Sequence, residues 1–282
     1  MSGFDLHTHS DCSDGTSPPE QVVELARQRQ LAGIALTDHD TTAGVDRARA
    51  AAQRAGGLVV ITGCELSAEH LGNPVHVLAL GFDPDEPAFA ATRDAIRHDR
   101  VTRAGRIVAR LRELGAPVEL ERVLELAAGG SVGRPHIAEA MVEAGVVPDL
   151  GAAFSMEWIG TGGRAYVGKR AVPPVEAVGL VRGAGGAAVL AHPSLHAGAR
   201  SVPEQLIREM AAAGLAGLEA DHPDQDEVQR ARLRALAAEL GLVATGASDD
   251  HGARSGYRLG VCRTPEATVE ALLAASPAAG LG

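Results

Sequence analysis

The sequence predicts an α/β fold in which mainly parallel strands close into a barrel, and three observations carry that prediction. Short β-rich runs alternate with longer helical stretches, the pattern of strand–helix–strand units. A chain of 282 residues with 45% apolar content is long enough to bury the core of one large barrel domain or two smaller ones. His, Asp or Glu residues cluster at the ends of nearly every predicted strand, as side chains do where barrel strands converge on a rim. Aromatic residues make up only 2% of the chain, so Leu, Val, Ile and Ala must supply the core.

Strands are expected at 3–7, 33–37, 58–62, 75–80, 187–191, 216–220 and 242–246. A first helix over 18–30 is opened by Ser17 as cap, with Pro18 and Pro19 suited to its first turn. The second, over 42–55, stops at Gly56-Gly57. Later helices are expected at 173–184, 203–213, 226–240 and 265–275. The alternation breaks after about residue 83, at Asp83-Pro84-Asp85-Glu86-Pro87. A charged helix over 88–114 and shorter helical segments follow, separated by Gly129-Gly130, Pro148 and Gly160-Thr161-Gly162-Gly163, with no convincing strand. Residues 83–164 therefore read as a helical insertion over the active-site face of a barrel built from 1–82 and 165–282.

The chemistry lies at the strand ends. The first strand runs into Asp5-Leu6-His7-Thr8-His9 and then Ser10-Asp11-Cys12-Ser13-Asp14-Gly15, the second into Thr37-Asp38-His39-Asp40, and the third into Gly63-Cys64-Glu65. The later ones lead to Ala191-His192-Pro193, Leu218-Glu219-Ala220-Asp221-His222-Pro223 and Ser248-Asp249-Asp250-His251. Side chains at i and i+2 share a face of a strand, so His7 and His9 point the same way, as do Asp249 and His251. His76 lies near the start of its strand and reaches the same rim only if that strand runs antiparallel, which is the expectation.

Each element has a plainer reading by itself. His-x-His is a weak motif, Asp14 before Gly15 suits a turn, Glu65 suits an ion pair, and the His-Pro pairs suit strand stops. Together these readings fail, because so many buried ionisable groups at one rim are costly unless cations compensate them. Imidazoles and carboxylates without thiolate suit Mn, Fe, Zn or Co. Cys64 should face away from Glu65, and Cys12 lies in a loop.

Composition limits the partners. Net charge is −10, from 26 basic and 36 acidic residues, which disfavours nucleic acid longer than short oligonucleotides but not a small anionic substrate drawn to bound cations. No run approaches a membrane span, and the first residues lack the basic and apolar regions of a signal peptide. Three unpatterned cysteines read as reduced thiols. The expected location is the cytoplasm.

Taken in order, these motifs closely resemble the PHP (polymerase and histidinol phosphatase) family. The resemblance implies a distorted (β/α)7 barrel holding two or three divalent ions, manganese foremost, with iron or zinc as options. It further implies a first metal on His7, His9, Glu65 and Asp249; a second on bridging Glu65, His76 and His192; and a third on Asp14, His39 and His251. Within the family, the insertion and its Gly133-Arg134-Pro135-His136-Ile137-Ala138 segment resemble the branch of nucleoside 3′,5′-bisphosphate phosphatases. Arg134 would then clamp a phosphate and His222 would contact substrate or protonate the leaving group, with His136 a weaker candidate.

Other family substrates are histidinol phosphate, a sugar cyclic phosphate, or short RNA ends cleaved by a 5′–3′ exoribonuclease. A metal-binding module without activity is the rival from another class. A carbon–nitrogen hydrolase is a third reading, disfavoured because the only lysine, Lys169, lies away from the motifs. His70, His98 and His196 fit no motif.

Overall fold

The computed structural model describes residues 2–127, 130–168, 170–194 and 201–274. Lys169, His196 and position 275 of the last expected helix lie outside them. Among the described residues, eight strands form one sheet in the order β7-β6-β5-β4-β3-β2-β1-β8. β1 (Gly3–Thr8), β2 (Gly33–Leu36) and β3 (Val59–His70) pair in parallel. β4 (Asn73–Leu80) is antiparallel to both β3 and β5 (Ala187–Leu190), as the position of His76 required. β6 (Gly217–Asp221) and β7 (Val243–Gly246) return to parallel pairing.

An eighth strand, β8 (Thr264–Pro265), was not foreseen in the sequence; it pairs antiparallel with β1. Its Thr264 Oγ1 accepts from the Gly246 amide at 2.9 Å and donates to the Gly246 carbonyl, tying β8 to the end of β7. Buried Asp5 on β1 strengthens this seam, accepting backbone N–H groups from Ser248 at 3.0 Å and Gly260 at 2.7 Å. A bridge between Thr8 and Asp250 carries the pairing to the rim. The barrel is thus nearly closed between β7 and β1.

Helices α1 (Pro19–Gln28) and α2 (Val45–Ala55) pack Val22, Val23, Ala48 and Ala52 against Ile34, Leu36 and Val60. The expected Ser17 cap is corrected: Pro18 is the N-cap of α1 and no side chain caps it, because a proline at that position has no side-chain acceptor to offer the following amides. α3 (Pro87–Glu113) is capped by Glu86, whose carboxylate accepts from the Ala88 and Phe89 amides. It reaches from the barrel, where Phe89 and Ile96 are buried, into a separate cluster with α4 (Leu120–Leu126), α5 (Arg134–Glu143) and α6 (Leu150–Ala153). No strand occurs among the described residues from 83 to 165. α7 (Pro174–Gly183), α8 (Glu204–Ala212) and α9 (Glu227–Leu240) cover the other side of the sheet, and α10 (Glu266–Ala274) packs Val269, Leu272 and Leu273 beneath Phe4 and Leu6.

Candidate metal centre

On β3, Ile61 joins the apolar cluster and Glu65, of the same parity, lies further along the same face; Leu78 and His76 repeat the pattern on β4. One face therefore changes from apolar to ionisable along the strand. β3 outruns its expected end at 62 and forms a long hairpin with β4, in which Ser67 pairs with His76. Glu65, two residues earlier, becomes the diagonal neighbour of His76. The bulge in β1 between Asp5 and Thr8 and the backbone beyond β2, β5 and β7 bring the remaining groups inward. Asp40, His192 and Asp249 adopt positive φ values of 57°, 26° and 50°, a region that non-glycine residues enter at a cost.

Glu65 is the centre of the arrangement. Its Oε2 lies 3.3 Å from His7 Nε2, 3.3 Å from His9 Nε2 and 3.0 Å from His39 Nδ1. Its Oε1 lies 2.7 Å from His76 Nδ1 and 3.1 Å from His192 Nε2. Asp249 Oδ1 stands 3.3 Å from both His7 Nε2 and His9 Nε2. Asp14 closes a further group, with Oδ1 3.2 Å from His251 Nε2 and Oδ2 3.8 Å from His39 Nε2.

Donor atoms within 4.8 Å of one another form three groups: His7, His9, Glu65 and Asp249; His39, Glu65 and His76; and His9, Asp14, His39 and His251. The three groups hold eight of the nine expected ligands, and His192 stands outside them. His39 and His9 each reach two groups, whereas His192 touches the centre through Glu65.

This donor set fits divalent cations. Among the described residues, buried His7 Nε2, His9 Nε2 and His39 Nδ1 have no hydrogen-bond partner, although carboxylate oxygens stand close by. An ion with ligands at about 2.0–2.2 Å sets its neighbouring donors about 2.9–3.4 Å apart, which matches the 3.3 Å edges around His7, His9, Glu65 and Asp249.

Burial alone would raise the Glu65 carboxyl, but the His39, His76 and His7 imidazoles hold it well below its usual range. The same opposition, led by His7 and His251, keeps Asp249 ionised. Burial would lower His9, yet Asp249 and Glu65 push it up to about 10. Burial dominates at His39 and lowers it to about 3, leaving a neutral imidazole with one nitrogen lone pair free at neutral pH.

Several participants were not legible as such in the sequence. Glu219 on β6 is fully buried, with Oε1 3.2 Å from His7 Nδ1 and Oε2 accepting from the His192 amide at 2.6 Å. Asp38 accepts from the Ser10 amide and from the Ser10 and Ser13 hydroxyls, fixing the loop between His9 and Asp14. Arg100 on α3 makes a two-nitrogen contact with Asp40, next to His39. The signal was a carboxylate inside a strand for Glu219 and motif adjacency for Asp38. Nothing local distinguished Arg100 from the other arginines of α3.

Asp14, His39 and His76 line a cleft of about 230 Å³ together with Arg100, Arg103 and Arg134. The Arg134 guanidinium donates to the Ile159 carbonyl at 3.3 Å and stacks 5.6 Å from the rings of both Phe154 and Tyr166. Burial, followed by the like charges of Arg134 and Arg100, pulls Arg103 down to about 10.

His222 is fully buried beside the first group, with Nε2 3.5 Å from Asp249 Oδ2 and Nδ1 accepting from the Asp224 amide. His136 instead accepts from the Gly133 amide at the start of α5, a structural role. Cys64 points into the apolar cluster, away from the metal groups. Cys12 joins none of the metal groups among the described residues.

Comparison with known proteins accords with this geometry. Residues 5–93 match the PHP domain model. The chain is 35% identical over 266 residues to a 3′,5′-nucleoside bisphosphate phosphatase of Chromobacterium violaceum, covering 92% of this chain and 90% of that protein. It is 34% identical to a 5′-3′ exoribonuclease of Haemophilus influenzae, covering 88% and 89% of the two chains. A solved structure from Bifidobacterium adolescentis, assigned as a metal-dependent phosphoesterase, superposes with a TM-score of 0.89 at 35% identity over 98% and 97% of the chains. The nearly closed mixed barrel, the ordered motifs and these likenesses place the chain in the PHP domain family of metal-dependent phosphoesterases.

Proposed function

We propose that this protein removes the 3′-phosphate of nucleoside 3′,5′-bisphosphates, with His7, His9, Asp14, His39, Glu65, His76, His192, Asp249 and His251 holding two or three divalent ions. Manganese is the first choice for a nitrogen and oxygen donor set without thiolate, with iron or zinc next. The three donor groups, joined through Glu65, His9 and His39, support a trinuclear count. One observation carries the substrate reading: Arg100, Arg103 and Arg134 line the same cleft as the metal donors Asp14, His39 and His76. A substrate bearing two phosphates presents one to the metal donors and the other to those guanidiniums.

When bound, divalent ions supply Lewis acidity toward the phosphoryl oxygens and lower the pKa of water at the site. Arg134 and Arg103 bind and orient the non-reacting phosphate, Arg134 as a planar fork held between Phe154 and Tyr166. Arg100 adds positive charge while its pair with Asp40 steadies the strained backbone beside His39. Glu65 and Asp249, kept ionised, stay available as ligands at neutral pH. His222 adjoins Asp249 rather than the open cleft, so its proposed contribution is made from that position, through Asp249 or to the leaving oxygen.

In the same reading, residues 83–164 form an insertion that covers the site of a barrel made by 1–82 and 165–282. The three free cysteines support a reducing, cytoplasmic location. No helix among the described residues is long and apolar enough to cross a membrane. The 34% identity to an exoribonuclease supports a second reading, in which the guanidiniums of the cleft receive the 5′-phosphate of a short RNA.

The test is phosphate and nucleotide release by manganese-loaded protein from adenosine 3′,5′-bisphosphate, histidinol phosphate, a ribose cyclic phosphate and a 5′-phosphorylated RNA oligomer. Adenosine 5′-monophosphate released from the bisphosphate at the highest kcat/KM supports the proposal. Greater turnover of any other substrate refutes the specificity and leaves the phosphoesterase class intact.

A further inference from the structure

Glu219 occupies an unusual place. It is a carboxylate on strand β6, wholly buried, and each of its two oxygens meets a different metal-site histidine. Oε1 faces His7 Nδ1 at 3.2 Å, while His7 Nε2 points to Glu65 and Asp249 at 3.3 Å each. A neutral imidazole carries one N–H. An anionic oxygen at Nδ1 draws the proton there and leaves the Nε2 lone pair directed at the donors of the first group. Oε2 accepts the His192 amide at 2.6 Å. That residue has a φ of 26°, outside the comfortable range for a side chain, and its Nε2 reaches the other oxygen of Glu65 at 3.1 Å.

We propose that Glu219 is a positioning residue that sets the tautomer of His7 and the backbone of His192 together, so that one buried carboxylate tunes two metal groups without touching an ion. The inference rests on the reading that these groups hold divalent ions.

The chemistry makes Glu219→Gln informative. The isosteric amide has one acceptor and one donor, whereas both of its neighbours require an acceptor. If its NH₂ faces His7, Nδ1 must accept, the proton moves to Nε2, and the metal-facing lone pair is lost. If its NH₂ faces the His192 amide, two donors meet at a distance set for a hydrogen bond and the strained turn is released. Either way, removing an outer partner of this kind weakens metal binding by about 10- to 100-fold.

The experiment measures zinc binding by calorimetry and metal content in the wild-type protein and Glu219→Gln, with circular dichroism to check folding. Long-range ¹H–¹⁵N spectra of the zinc-loaded wild type, with His7 assigned through a His7→Gln variant, report the tautomer. Expected are a His7 proton on Nδ1 and a folded variant with 10- to 100-fold weaker affinity for at least one ion. A His7 proton on Nε2 in the loaded wild type overturns the proposal, as does wild-type affinity of the variant for every ion. If the variant fails to fold, the tautomer of the wild type alone decides. A wild-type protein that takes up no zinc overturns the underlying metal reading as well.

Discussion

Replacing Glu65 by Gln tests the centre of the site most directly. Both carboxylate oxygens are in use: Oε2 serves His7, His9 and His39, and Oε1 serves His76 and His192. The amide keeps one oxygen, now neutral, and replaces the other by a nitrogen that does not bind a cation. Small four-ligand zinc sites bind with about 10–16 kcal/mol, or roughly 3 kcal/mol per ligand, so losing one ligand weakens the ion it held by about 100-fold. The metal-free protein suffers too. Removing one partner from a buried ionic cluster costs about 3–5 kcal/mol because the charges left behind are uncompensated. The assay combines metal content after dialysis, calorimetric manganese titration and phosphate release from adenosine 3′,5′-bisphosphate. The expected result is loss of at least one ion per chain and a fall in kcat of about 1000-fold or more, partly recovered at millimolar manganese. A variant that keeps the full metal complement and more than a tenth of wild-type turnover refutes the bridging role.

Other perturbations reach separate parts of the reasoning. His9 is raised from 6.5 to about 10, so its protonation stabilises the metal-free fold fully below pH 6.5, and that contribution is lost as the pH rises through about 10. The melting temperature of metal-free protein should therefore fall across that window, and metal binding at pH 7.5 should release protons, seen as a buffer-dependent binding enthalpy. No proton release would contradict the assignment. Arg134→Ala removes a charge-assisted hydrogen bond worth about 1.5–3 kcal/mol, so kcat/KM for a bisphosphate should drop about 10- to 100-fold with metal content unchanged. Equal losses on a monophosphate would place Arg134 elsewhere. Asp5→Ala strands the Ser248 and Gly260 amides at the barrel seam and should cost about 3 kcal/mol, read as a drop of about 5–12 °C in melting temperature, whereas a shift under 2 °C would dismiss the seam.

Much of this molecule is written in local pattern. Alternating strand and helix signals marked seven of the eight strands, and the off-register His76 foretold the reversed β4 because only one chain direction brings that imidazole to the rim. The residues of the three donor groups were legible because chemistry-bearing side chains recur at strand ends. What escaped depends on distant geometry. β8 spans only Thr264–Pro265, too short for any period to register. Strand β3 runs on to His70 because Leu71 and Gly72, both at positive φ, turn the chain there rather than where the apolar run ends. Glu219 sits in a strand whose neighbours are apolar, and its role appears only when His7 lies across from it. Arg100 and Arg103 are two among several arginines of α3, and their inward direction is set by Asp40, 60 residues away from Arg100, and by the Val167 carbonyl.

The seam between β1 and β7 also dictates when the protein becomes competent. Asp5 and Ser248, joined through a single hydrogen bond, are 243 residues apart, and the first donor group draws on both sides of that join. A ribosome that has released only the first half of the chain has produced His7, His9, His39, Glu65 and His76 but not Asp249, the residue that completes the first donor group. The full set of donor groups therefore waits for synthesis to pass residue 251, and a growing chain carries an unfinished cup.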